Sequence, residues 1–198
     1  MSKKPPQSIR SEIRQNLLGS LEVALFMPVA RLRFGRSQNA ALRSFLVPVL
    51  LLPLTLLGVV MYPPSDDIAG KTTTIVMMLY ALRFMFLLGI FYFAVYWICD
   101  QIERRDEFIP FVIAYNWLHI PAAVIYIPVA WMLINESKSW DELQAFMVCL
   151  TFYVYAFQAF MISYVMRMPY ELAGFLIFIS IALERAGNQM VYWLAQFI

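Results

Sequence analysis

Arg83, Asn116, His119, Glu184 and Asn188 are the side chains that could carry charge, hold a solute or move a proton from within long apolar runs. A charge at mid-bilayer costs about 2.5–3.5 kcal/mol on insertion scales, so each needs a partner or a task. Asn116 and His119, the chain's one histidine, are three residues apart and share a helix face. Just beyond them, Pro121 cannot donate to the carbonyl of Trp117, and Pro128 leaves that of Val124 free. A helix with freed carbonyls and two polar side chains has the pattern of transporter helices that break at mid-membrane. The other reading is a polar anchor, in which Asn116 and His119 bond a neighbouring helix for about 0.6 kcal/mol each.

Arg83 lies about ten residues from one end of its apolar run, and Glu184 about fourteen from the opposite end of its own. In a bilayer crossed by about 20 residues these depths are similar. An Arg83–Glu184 pair is expected, with the adjacent Arg185 as the alternative partner of Glu184. Gly174, Ile177, Ile181, Glu184 and Asn188 would form the bundle-facing side of that helix, with Ala173-Gly174 admitting a close neighbour. Tyr153, Phe157, Phe160 and Tyr164 form an aromatic stripe that reads as packing or as a face toward a flat ligand or a lipid. Gln158 beside it reads as a tie between helices.

Other chemistries are excluded. One histidine without a nearby cysteine, aspartate or second histidine makes no metal site. No His-Glu-x-x-His and no Ser/His/Asp set is present. The chain reads as non-enzymatic, with no metal and no cofactor. Cys99 and Cys149 read as free thiols.

The elements that position these residues follow from composition. Of 198 residues, 62% are hydrophobic and 14% charged, against roughly 45–50% and about 25% in a soluble domain. The apolar runs are continuous rather than alternating, so they are helices and not barrel strands. The fold class is all-α: a polytopic membrane bundle of five transmembrane helices, at about 44–62, 73–98, 109–134, 143–166 and 170–190, preceded by an interfacial amphipathic helix. The fifth helix either ends near Leu183 or continues toward the C-terminus. Residues 44–198 form the membrane domain and 1–43 an N-terminal segment.

Within that segment, 1–7 read as a disordered tail and about 8–27 as the amphipathic helix. Its stripe is Ile9, Ile13, Leu17, Leu21 and Ala24, and Pro28 ends or kinks it. "ARLRFGRSQNAALR" then reads as a basic hinge into the first span. No cleavable signal peptide is read at the N-terminus.

Arg10, Arg14, Arg31, Arg33 and Arg36 are candidates for contact with anionic lipid head groups. A nucleic-acid role is not favoured, because no aromatic residues interleave the basic ones. Basic residues concentrate in the N-terminal segment, at Arg104 and Arg105, and at Arg167, whereas the alternate loops hold only Lys71 and Lys138. By the positive-inside rule the N-terminus is cytoplasmic. The mixed-sign loop "DQIERRDEF" reads as a solvated turn or as a docking surface for a cytosolic partner.

The pre-span stretch "ALFMPVARLRF", five tightly connected spans, a minimal C-terminal tail and "AYNWLHIP" in the third span resemble the Yip family of Rab-interacting membrane proteins and their bacterial relatives. The longer acidic N-terminal segment and the Asp-Leu-Tyr-Gly-Pro motif of eukaryotic members are missing. The resemblance therefore implies a bacterial-type member with no catalytic residues.

Two functions remain open. One is a scaffold or membrane-organising protein of Yip type, with a membrane-protein partner or a second copy of itself. The other is a small transporter or channel subunit built on the intramembrane polar residues. A multi-pass protein of a bacterial inner membrane is preferred over one of an endomembrane.

Overall fold

A computed structural model describes residues 8–61, 66–135 and 137–198, and the described residues are helical throughout apart from turns. The expected tail at 1–7 lies outside them. Helix α1 spans Ile9–Ala24, α2 Gln38–Ser44, α3 Leu46–Met61, α4 Asp66–Ala69, α5 Thr73–Gln101, α6 Phe108–Ile134, α7 Trp140–Met166 and α8 Tyr170–Ala195. Short 3-10 turns occupy Pro28–Leu32 and Arg105–Glu107. Side-chain caps set several starts. Ser8 Oγ accepts from the Ser11 amide and Ser37 Oγ from the Ala40 amide. Ser139 and Glu142 form a reciprocal capping box at α7.

Four stretches are long and apolar enough to cross a membrane: Gln38–Met61, Thr73–Gln101, Arg105–Ile134 and Trp140–Met166. The chain is a multi-span helical membrane protein. Pro53, Pro121 and Pro128 sit inside helices that continue through them.

The long helices close a ring. α3 packs on α5 and α6, α6 on α7, α7 on α8, and α8 on α5. One end of the ring carries Arg36, Glu107 and Arg167 and is called the arginine end below. α8 does not stop near Leu183. It runs antiparallel to α5, with Gly187 against Leu87, and Val191 and Ala195 packed with Val76, Leu79 and Tyr80 at the far end.

Its buried face is Ala173, Leu176, Ile177, Ser180, Gly187 and Val191, whereas Gly174, Ile181 and Glu184 of the expected face are exposed. The close approach belongs to Gly187, where an added Cβ would stand 2.6 Å from Leu87 Cδ1, and not to Gly174, which has nothing within 4 Å. The seam is a seven-residue repeat of small side chains, Ala173, Ser180 and Gly187, which lets α8 lie close to its neighbours.

The N-terminal segment is built into the bundle. Val23, Ala24, Ala30, Phe34, Ala40 and Ala41 share one core with Phe111, Phe157 and Met161 of the long helices. α1 packs across α6 and α7 through Asn16, Gly19, Ser20, Val23 and Ala24, while Ile9, Ile13 and Leu21 of the expected stripe point outward. Small side chains win the packed face because the returning chain crowds it: a Cβ on Gly19 would stand 2.8 Å from Arg33 Cβ. The turn after α1 puts Phe26 at φ 55°, a costly conformation for a bulky residue. Edge-on contacts of its ring with Tyr153 and Phe160 hold it there.

Candidate functional site: a polar vestibule inside the ring

The arginine half of the ring is closed. α5 and α6 touch there through Phe91 and Tyr115, with ring centroids 5.0 Å apart, and through Tyr92 and Asn116. Asn116 is fully buried. Its Oδ1 accepts from Tyr92 Oη at 2.6 Å, its Nδ2 donates to Ser44 Oγ at 2.8 Å, and Ser44 Oγ donates to the Ala41 carbonyl at 2.6 Å. The network joins α2, α5 and α6, so Asn116 is a structural lock.

At the end face, Glu107 is buried between Arg36 (2.8 Å) and Arg167 (3.3 Å), linking the N-terminal segment to the ends of α6 and α7. It lies in the loop expected as a solvated turn. Asp100 and Arg105 of the same loop pair with each other. Arg33 bonds Glu22 and Gln15, and the Glu22 hydrogen bond raises the pKa of its guanidinium. Of the arginines expected at lipid, Arg33 and Arg36 are thus engaged within the fold, Arg31 is half-buried, and Arg10 and Arg14 stand on the exposed side.

In the other half, α3 stands between α5 and α6 and leaves space. A cavity of about 450 Å³ is lined from α3, α5, α6, α7 and α8, and reaches the far end of the ring at Met61, Ile134 and Trp140. Its walls are mostly aliphatic, with Arg83, Asn188, Tyr80 and Tyr126 as polar groups. A second space of about 240 Å³ shares Leu54, Thr55, Tyr126 and Ala130 with the first and extends to His119. A third, of about 90 Å³, is bounded by His119, Arg83, Glu184, Tyr115 and Ser180. Arg83 lines the first and third spaces, and His119 the second and third. The three spaces adjoin at these shared side chains, the smallest toward mid-ring, and are together called the vestibule.

The side chains around it are held in specific ways. His119 Nδ1 lies 3.1 Å from the carbonyls of Tyr115 and Asn116. Nδ1–H therefore donates to the preceding turn and Nε2 is the acceptor. Tyr115 and Phe84 flank the ring edge-on.

Arg83 and Glu184 do meet, but not as the expected carboxylate pair. Arg83 Nη2 donates to the Glu184 backbone carbonyl at 3.1 Å, while Glu184 Oε2 accepts from Tyr155 Oη at 3.3 Å. The close α5–α8 crossing at Gly187 brings the guanidinium against α8 backbone, and this sets the geometry. Among the described residues no carboxylate lies within the 4 Å of an ion pair with Arg83, and its Nε has no acceptor. The guanidinium sits 5.8 Å from the Tyr80 ring centroid. Tyr80 Oη is buried, with the Tyr192 hydroxyl beside it.

The aromatic stripe of α7 is packing: Phe157 and Phe160 are buried, and Tyr153 Oη donates to the Ala24 carbonyl at 2.6 Å. Gln158 does not act as a tie, since its Oε1 is buried without a partner. Cys99 and Cys149 are free thiols.

Sequence reasoning missed Tyr115 and Ser180 at the vestibule, Tyr155 as the partner of Glu184, and Glu107 at the arginine end. The small-residue heptad around Ser180 was the available signal for the seam. Tyrosines in an aromatic-rich chain carried none. Comparison with family models, curated proteins and solved structures gives no match, so the site is read from its own residues.

Proposed function

We propose that the chain is a non-enzymatic, five-span membrane protein that works as a small transporter or channel subunit, with the Arg83–His119–Glu184 vestibule as its solute site. The observation that carries this reading is convergence. Arg83, His119, Glu184, Tyr115 and Ser180, from three helices, bound one small space, and Arg83 and His119 also line the two larger spaces beside it, one of which reaches the end of the ring. Polar groups at membrane depth are costly, and groups that serve packing alone are normally satisfied by one another. Here Arg83, which lines the vestibule, has its Nε buried without an acceptor among the described residues, as Trp117 Nε1 and Gln158 Oε1 are elsewhere in the bundle.

α8 is the fifth span in this reading. Its 26 residues match α5 along their length, and its charges fall at the start and at the vestibule. The arginine end then faces the cytoplasm of a bacterial inner membrane, and the vestibule opens on the opposite side. Five spans are few for a self-contained transporter, so assembly with a second copy or a larger complex belongs to the proposal.

Cysteine accessibility tests it. In a Cys99→Ala, Cys149→Ser background, Thr55→Cys and Asn188→Cys should react with a membrane-impermeant thiol reagent from one side only. Leu118→Cys, in the packed half, should stay unlabelled. Equal protection of all three positions would refute a water-filled vestibule.

The second reading, a scaffold of Yip type, is favoured by the "AYNWLHIP" stretch and by the five-helix pattern. It predicts that deleting residues 1–27 removes a protein partner while His119→Ala leaves that partner bound. The core shared by α1 and the long helices weighs against it, because the N-terminal segment is part of the fold and not a free docking arm.

A further inference from the structure

The chemistry of the vestibule specifies its ligand more narrowly. Its large outer space holds one charged side chain, Arg83, and among the described residues no carboxylate lines it. Arg83 is unpaired by any carboxylate within ion-pair range among the described residues, and donates one hydrogen bond, to a backbone carbonyl. A guanidinium has five N–H donors in a planar fork suited to a carboxylate or phosphate. Asn188 and Tyr80 stand beside it on the same wall and supply further polar contacts. Apart from Thr55, Tyr126 and Trp140 at the rim, the rest of the lining is aliphatic, and the volume of about 450 Å³ falls in the range of small-molecule sites, about 300–1,000 Å³. One fixed cation at the floor of an apolar chamber selects a molecule with one anionic head and an apolar body. A cation would be repelled, and a small polar anion would leave the aliphatic walls uncovered.

We infer that the vestibule binds a single-chain monoanionic amphiphile, such as a medium-chain carboxylate, with its head on Arg83 and its chain along α3 and α6. This rests on the vestibule being a solute site. Glu184 lies across the narrow space from the head position, and its carboxylate is held by Tyr155, so it bars a second anion from passing deeper.

The test is equilibrium binding of 11-(dansylamino)undecanoate to the full chain in phosphatidylcholine nanodiscs, with empty discs subtracted. Decanoate, decanol and decyltrimethylammonium serve as competitors. The expected result is displacement by decanoate but not by the neutral or cationic analogue at the same concentration. Arg83→Met should weaken binding about 10- to 100-fold, as the loss of a charged hydrogen-bond partner does, and Arg83→Lys should weaken it less. Gly58→Phe is the second variant. Gly58 lines the chamber and an added Cβ there meets nothing within 4 Å, so the ring fills the space without disturbing the helices. It should abolish binding with Arg83 intact.

Equal displacement by decanoate and decanol, with Arg83→Met binding as wild type does, would overturn the anion assignment and leave the solute site standing. Absence of wild-type binding, with Thr55→Cys and Asn188→Cys still labelled from one side, would also overturn it alone. Absence of both binding and labelling would overturn the solute site as well.

Discussion

The two halves of the ring differ in what surrounds their buried polar side chains. Toward the arginine end, Asn116, Tyr92 and Ser44 satisfy one another in a buried network, and Glu107 is held by two arginines. Unpaired buried atoms occur in both halves, Trp117 Nε1 and Gln158 Oε1 toward the arginine end and Arg83 Nε in the far half, but the space lined by all five long helices lies in the far half, whereas the spaces of the arginine half lie outside the ring, against α1 and α2. Helices of similar composition build both. The difference lies in the third element: α1 and α2 fill the arginine half from outside, while α3 props α5 and α6 apart in the other. Satisfied polar groups stabilise and specify a fold, whereas unsatisfied ones cost stability and persist where a ligand or water completes them.

Substitutions should break this contrast in a graded way. The largest loss of stability is expected from Gly187→Leu, which drives a side chain into Leu87 and Arg83 at the α5–α8 crossing. Overpacking of this kind costs about 1–3 kcal/mol or more, and unfolding in detergent followed by circular dichroism should show it. Gly174→Leu, on the open side of the same helix, is the matched control and should be neutral. Next comes Asn116→Leu, which leaves the Tyr92 and Ser44 hydroxyls without their partner. A loss of about 2 kcal/mol is expected from two buried hydrogen bonds in a membrane protein, with Tyr92→Phe recovering part of it in the double mutant.

Glu107→Gln should cost less, about 1 kcal/mol, because Arg36 and Arg167 are half-exposed and water replaces part of what they lose. High salt should narrow the gap between that variant and wild type. Ile13→Ser should change stability by less than about 0.5 kcal/mol in detergent, since Ile13 faces outward, while weakening α1 contact with a lipid bilayer in vesicle flotation.

Much of the architecture was legible in the sequence because long apolar runs have one solution in a bilayer. The helices around 73–98, 109–134 and 143–166 fall close to their expected bounds. Faces were harder to read. On α8 the face of Gly174, Ile181 and Glu184, expected to turn into the bundle, is exposed, while on α1 the outward Ile9, Ile13 and Leu21 agree with an interfacial stripe; next to lipid apolarity does not distinguish core from surroundings. The packed faces are instead marked by small residues, Gly19 and Ser20 on one helix and Ala173, Ser180 and Gly187 on the other. Depth matching did bring Arg83 and Glu184 together. It could not show that the backbone carbonyl, rather than the carboxylate, receives the guanidinium, because that depends on how close Gly187 lets the helices come. Glu107 escaped notice because its loop is mixed in sign and its burial arises only when Arg36 returns from the N-terminal segment.

The most informative variant is the one expected to lose no stability. Arg83→Met removes one hydrogen bond to a carbonyl and one buried charge that no carboxylate offsets at ion-pair distance. Its stability relative to Asn116→Leu, measured by the same detergent unfolding, tests directly whether the far half is built for a ligand. An Arg83→Met protein as stable as wild type, or more stable by about 1 kcal/mol, beside a clearly weakened Asn116→Leu, is the predicted outcome. An Arg83→Met protein weakened as much as Asn116→Leu would make Arg83 a structural tie, and the vestibule a packing defect and not a site.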